Sequence, residues 1–152
     1  MRKKVLVRGP ILTRSGYGEH ARFIMRALRS IEDKIDIYAV PVNWGATGWT
    51  PESSEERVWL DFIIQKTTHA LQNGMNNFDA SLQVSIPNEW EKLAPVNIGV
   101  TAGIETTKVA VQWLEKGNVV DHIIVPSDHS RQVYKNTSYD VVMKETQQEI
   151  KG

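Results

Sequence analysis

The chain has 152 residues, of which 41% are apolar, and this length and composition predict one domain with its own hydrophobic core. Its 18 basic and 18 acidic residues leave no net charge, so the composition favours neither nucleic acid nor an anionic membrane as a partner. The absence of cysteine excludes disulfides and thiolate metal sites and fits a cytoplasmic protein, and no apolar run is long enough for a transmembrane helix.

The first predicted unit is a strand, a glycine-containing loop and the start of a helix. An apolar run over 5–7 predicts a buried strand, and Ser15 is a typical helix N-cap. The apolar period of the following helix is carried by Ala21, Ile24, Met25 and Leu28. Because the first N–H groups of a helix are unpaired and its dipole is positive there, the segment Ser15, Gly16, Tyr17, Gly18 is a candidate phosphate loop.

The same loop also fits a dinucleotide fingerprint, but its surroundings argue against one. Residues 16–21 match G-x-G-x-x-A, which requires a tight turn after the strand and an acid at the end of the second strand. Here residues 9–15 intervene, and the predicted second strand over 35–40 has its only acid, Asp36, at its start. We therefore expect no nicotinamide cofactor, and a capped helix with glycines for close packing remains an alternative.

A tryptophan-containing loop and a long helix follow the second strand. Gly and Pro over 43–51 predict a loop, in which Trp44 and Trp49 either stack on a sugar or partner or fill the core beneath the loop. Ser53 or Ser54 caps the next helix, which ends at 73–74. Its expected buried stripe consists of Trp59, Phe62, Ile63 and Ala70.

The rest of the chain continues the alternation. Strands are predicted over 78–84, 96–100 and 121–125, and helices are predicted to begin near Glu105 and after the cap Ser127. The alternation predicts an α/β fold with a parallel sheet, helices on both faces and ligands beyond the carboxyl ends of the strands. The domain is expected to occupy 1–137, and the polar tail over 138–152 is either a frayed helix or a connector.

Three segments resemble one enzyme family. Residues 14–22, 97–107 and 121–130 look like the first-loop, fourth-strand and "D-x-I-I-V-P-S" motifs of GT-B glycosyltransferases, particularly of the retaining family-4 type. They occur in the family's order and together cover most of 3–135. The resemblance implies a Rossmann-like three-layer sandwich, the N-terminal, acceptor-side half of a GT-B architecture.

The resemblance also implies roles for individual residues. The loop of Ser15, Gly16, Tyr17 and Gly18 would approach the diphosphate of a nucleotide-sugar donor. Glu105 and His20 are the catalytic candidates, each with an alternative: a helix N-terminal carboxylate for Glu105 and a solvent-facing residue for His20. The expected acceptor rim consists of Trp44, Trp49, Asn88, Glu89, Trp90, Thr106 and Ser127, the last of which is also explained as a helix cap.

Other parts of such an enzyme are missing from the sequence. There is no Asp-x-Asp, so no metal site is assigned, and no protein nucleophile or cofactor is expected. A second domain holds most donor contacts in this family, so residues 1–152 alone should not transfer sugar usefully without a C-terminal domain, a partner chain or a homodimer. A stand-alone carbohydrate- or protein-binding module and a small nucleotide-binding protein remain alternatives.

Overall fold

The computed structural model describes residues 2–42, 54–101, 118–125, 131, 138–142 and 147–151, and it describes only the backbone of Asn88 and of the last two ranges. The elements in chain order are β1 (Lys3–Gly9), α1 (Gly16–Arg29), β2 (Ile35–Pro41), α2 (Glu55–Gln72), β3 (Ala80–Val84), a 3₁₀ helix (Pro87–Glu89), β4 (Val96–Val100), β5 (His122–Ile124), β6 (Ser138–Val142) and β7 (Gln147–Lys151). Neither described α-helix is long and apolar enough to cross a lipid bilayer.

The main sheet has five parallel strands in the order β2-β1-β3-β4-β5. This confirms the α/β class and the parallel sheet, and it is consistent with a Rossmann-like domain. The strand β4 has the predicted bounds, β2 is one residue longer than predicted, and β3 begins at Ala80 rather than at Phe78.

The helix α1 forms as its sequence predicts. The Ser15 hydroxyl accepts a hydrogen bond from the Gly18 amide at 2.9 Å, which satisfies one of the unpaired donors of the first turn. Ala21 and Met25 are fully buried against the sheet, and Ile24 and Leu28 pack against the same core from its border. The predicted apolar face is therefore the face that α1 buries.

The helix α2 packs across the open edge of β2 rather than flat on the sheet. Its cap is Ser54, whose hydroxyl accepts from the Arg57 amide at 3.0 Å. Leu60 belongs to the core beneath α1, and farther along the helix the Thr67 hydroxyl accepts a hydrogen bond from the Ala39 amide at 2.8 Å. Ala70 packs at the opposite sheet face. Thus α2 covers backbone donors that an edge strand would otherwise expose.

This crossing corrects the predicted stripe of α2. Ile63 is buried as expected and Trp59 is half-buried, but 62% of Phe62 is exposed. The buried positions include Leu60 and Thr67 instead. Because α2 contacts the edge of β2, a buried position of this helix is occupied by Thr67, whose hydroxyl accepts a hydrogen bond from the strand backbone.

Both described helices contribute to one core on one side of the sheet. That core contains Val5 and Val7 of β1 with Ala21, Met25, Leu60 and Ile63 of the helices. Leu6, Tyr38 and Phe78 form a smaller cluster on the other side. The helices expected to complete a three-layer sandwich, beginning near Glu105 and Ser127, lie outside the described residues, so the structure supports the parallel sheet but not the third layer.

A buried network of side-chain amides holds the chain over 91–94 against the second sheet face. The Gln83 side chain donates to the Glu91 carbonyl at 2.6 Å and accepts from the Glu91 amide at 2.8 Å. The Asn97 side-chain oxygen accepts from the Leu93 and Ala94 amides, at 2.9 and 3.1 Å. The strand β3 is therefore buried on both faces.

The tail forms strands rather than a helix. The strands β6 and β7 pair antiparallel in a two-stranded sheet separate from the main one. The frayed-helix alternative for 138–152 is therefore wrong, in keeping with the preference of neighbouring valines for extended backbone.

Candidate functional site

The candidate site lies at the carboxyl edge of the sheet, where β1, β3 and β4 end at Gly9, Val84 and Val100. The strand β1 has β2 on one side and β3 on the other, so the connection from β1 to β2 and the connection from β2 to β3 run in opposite directions across the sheet. In open parallel sheets, ligands bind at such a switch point, beyond the carboxyl ends of the strands. The loops after β1 and β3 are therefore the candidate ligand-binding loops.

The loop after β1 is packed and internally hydrogen-bonded. Ile11 is fully buried and Thr13 is nearly so. The Thr13 hydroxyl donates to the Pro10 carbonyl at 3.0 Å and lies 3.1 Å from the Ser15 hydroxyl. The loop thus presents the N-cap of α1 from a defined position.

The buried side chain of Arg22 holds this loop from the helix side. Its guanidinium donates to the Ile11 carbonyl at 2.9 Å and to the Thr13 carbonyl at 2.7 Å, and it forms an ion pair with Glu19. The hydrogen bond and the charge of Arg22 lower the pKa of Glu19. Sequence reasoning missed this role, although the position of Arg22 three residues before Met25 of the predicted apolar face was a usable signal.

The two glycines of the loop differ in their surroundings. A Cβ at Gly18 would lie 2.1 Å from the Thr13 carbonyl oxygen, so packing requires glycine there. A Cβ at Gly16 would meet nothing within 4 Å. Packing therefore accounts for Gly18, whereas the space around Gly16 is open to a ligand.

Tyr17 links the first turn of α1 to the end of β4. Its hydroxyl lies 3.1 Å from the hydroxyl of Thr101, which is fully buried. The Thr101 amide in turn donates to the Ile124 carbonyl at 3.2 Å. The start of α1 is thus fixed relative to the neighbouring strand ends, which gives the site a preformed shape.

His20 is the titratable candidate nearest this turn. It is half-buried, and that burial lowers its pKa below the usual histidine range. At neutral pH its ring is therefore neutral and can accept a proton. Its role as a catalytic residue stays a prediction.

The loop after β3 differs from expectation at Trp90. This residue was predicted on the acceptor rim, but it is fully buried, and a Cβ at Gly99 would lie 2.5 Å from its ring. Trp90 is therefore a core residue of the second sheet face and cannot stack on an acceptor from this position. Its indole N–H has no hydrogen-bond partner, the one such buried side-chain atom among the described residues.

Most of the remaining candidate site residues lie outside the residues that the structure describes. Glu89 is half-buried, and its carbonyl accepts from the Arg8 guanidinium at 3.0 Å. The side chain of Asn88 is not described. Trp44, Trp49, Glu105, Thr106 and Ser127 lie outside the described residues, so their site roles stay predictions. Within the described ranges, no group of three or more histidine or acidic side chains is arranged to hold a metal ion.

Comparison with known proteins identifies no relative of this chain. No protein-family model matches this chain, and no curated protein or solved structure is significantly similar to it. The likeness to GT-B glycosyltransferases therefore depends on the three sequence motifs alone.

Proposed function

We propose that this chain is the N-terminal, acceptor-side domain of a GT-B glycosyltransferase of the hexosyltransferase class. It would act with a second domain or partner chain to move a sugar from a nucleotide-sugar donor to an acceptor hydroxyl. The observation that carries the proposal is the open N-terminus of α1 at the switch point, at Gly16.

The chemistry of this position suits a departing diphosphate. Negative charge develops on the diphosphate as the sugar–phosphate bond breaks, and preorganised N–H groups at a helix N-terminus stabilise such charge. Gly16 lets the phosphate approach the backbone, while Arg22 and Gly18 keep the loop in place from below. Since the Arg22 charge is directed to loop carbonyls, the cation that neutralises the phosphates would come from the second domain.

The proposal predicts weak donor binding by these 152 residues alone. One helix N-terminus contributes about 1–2 kcal/mol, so the dissociation constant of a nucleotide sugar should be about millimolar or weaker. The decisive test is a transfer assay with a panel of nucleotide sugars on the full product of the natural reading frame. Sugar transfer that falls about tenfold or more in Gly16→Val supports the proposal.

A matched control separates this effect from a general loss of structure. Val58→Ala changes an exposed residue of α2 and should leave transfer unchanged. Gly16→Val meets open space, so it should fold like the parent chain. Transfer unaffected by Gly16→Val, or no transfer with any nucleotide sugar, would overturn the proposal.

The strand order favours a second candidate, a mononucleotide-binding protein. The order β2-β1-β3-β4-β5 is that of flavodoxin-like sheets, which bind a phosphorylated ligand at the switch between β1 and β3. Calorimetric titration with nucleotides distinguishes the two candidates. Submicromolar binding by the 152-residue chain would favour this second candidate over the glycosyltransferase domain.

A further inference from the structure

The second sheet face carries an apolar groove that the candidate site does not use. It has a volume of about 320 Å³ and follows β1 from Phe78, near the amino end of the sheet, to Arg8, one residue before β1 ends. Its apolar walls come from Leu6, Val40, Leu71, Met75, Phe78 and Leu93. A second hollow of about 310 Å³ continues it past Val40 and Leu71.

The lining of the groove selects against a sugar. A sugar needs a hydrogen-bond partner for each hydroxyl that it buries, because an unpaired buried polar group is costly. Among the described residues that line the groove, only Arg8 and Asn76 carry polar side chains. Its size is within the range of small-molecule pockets, about 300–1,000 Å³. Its occupant should therefore be a small molecule with a long apolar part.

Arg8 gives the groove one charged end with unused donors. Its Nη1 donates to the Glu89 carbonyl at 3.0 Å and lies 3.9 Å from a Glu91 carboxylate oxygen. Within the described part of the chain, Nε and Nη2 of Arg8 make no hydrogen bond. These two atoms form the side of the guanidinium that binds a carboxylate through two parallel hydrogen bonds.

We propose that the groove binds a medium-chain alkyl carboxylate, with its chain along β1 and its carboxylate on the free side of Arg8. A carboxylate has two oxygens that can accept the hydrogen bonds of Nε and Nη2 together, while Nη1 keeps its contacts with Glu89 and Glu91. A phosphate monoester, with about −1.5 to −2 charges, would be repelled more strongly by Glu91. This inference does not depend on sugar transfer, since it uses neither the glycine loop nor His20.

Calorimetric titration of the full chain with octanoate, and with octan-1-ol as an uncharged probe, tests the proposal. Both probes should bind, and octanoate should bind more tightly. Arg8→Gln should weaken octanoate binding about tenfold and leave octan-1-ol binding within about twofold. Glu91→Gln should strengthen octanoate binding, because it removes the competing carboxylate.

A pair of matched variants on α2 tests the location. Leu71→Trp fills the groove and should weaken binding of both probes, whereas Val58→Trp, at an exposed position outside the groove, should change neither. Methyl NMR gives a measurement that needs no substitution, since octanoate should shift the Met75 methyl signal. Absence of octanoate binding, equal binding by Arg8→Gln, or an unshifted Met75 signal would overturn the proposal.

Discussion

Gly18 packs so closely on Thr13 that a Cβ at position 18 would lie 2.1 Å from the Thr13 carbonyl oxygen. That oxygen also accepts the 2.7 Å hydrogen bond of Arg22, so the loop cannot shift away without breaking a buried contact to a charged group. The position of the helix N-terminus, and with it the candidate site, depends on this contact.

The first prediction compares the two glycines of the loop. Gly18→Ala should lower the free energy of unfolding by about 2–4 kcal/mol, because the added methyl group overlaps backbone. Gly16→Ala should keep it or raise it by about 0.5 kcal/mol, since alanine favours helix and the space is open. Urea denaturation of both variants measures the difference. Equal stabilities would show that the loop yields more easily than the packing indicates.

The second prediction concerns Gly99 and Trp90. Gly99→Ala should destabilise the fold by about 2–4 kcal/mol, because its methyl group would overlap the buried indole. In a Trp90→Leu background the same substitution should have a smaller effect, because the smaller side chain leaves room for the methyl group. A double-mutant cycle by chemical denaturation measures this coupling, and additive effects would contradict the contact.

An element of this structure is predictable from the sequence where local capping or a regular spacing of apolar residues determines it. The Ser15 cap, the buried face of α1 and the bounds of β4 were predictable, because local capping and apolar spacing determine them. The exposure of Phe62 was not, since it follows from the passage of α2 across a sheet edge. That placement is a tertiary property, and no period in the helix encodes it.

Buried polar residues explain most of the remaining differences. Gln83 alternates with apolar neighbours, a pattern typical of a half-buried strand, yet its side chain is fully buried and binds both backbone groups of Glu91. Trp90 directly precedes the segment over 91–94 that this network holds, and this predicted rim residue is part of the core. At the candidate site the Ser15 cap was predictable, but the difference between Gly16 and Gly18 and the inward hydrogen bonds of Arg22 required the three-dimensional loop.

The third prediction tests the amide network. Asn97→Ala should lower the free energy of unfolding by about 3 kcal/mol, because it leaves the partly buried amides of Leu93 and Ala94 without their acceptor. Asn76→Ala, at an exposed asparagine, should change it by less than about 0.5 kcal/mol. Thermal and urea unfolding provide the comparison. If the two variants were equally stable, the network would not hold this segment.

The fourth prediction is a pH dependence from His20. Because burial lowers the pKa of His20 in the folded chain, the unfolded chain binds more protons between the folded pKa and about 6.5. Stability should therefore rise with pH through this window, and its loss on acidification should be complete below the folded pKa. NMR titration of the His20 ring should give a midpoint below about 6.5.

The matched variant isolates this contribution from those of other groups. His20→Gln retains a polar side chain of similar reach but cannot titrate, so its free energy of unfolding should differ less than that of the parent chain between about pH 5.5 and about pH 7.5. Unfolding in urea at the two pH values gives the comparison. An unchanged pH dependence, or a ring midpoint above about 6.5, would contradict the environment assigned to His20 and weaken its candidacy as a neutral proton acceptor beside the glycine loop.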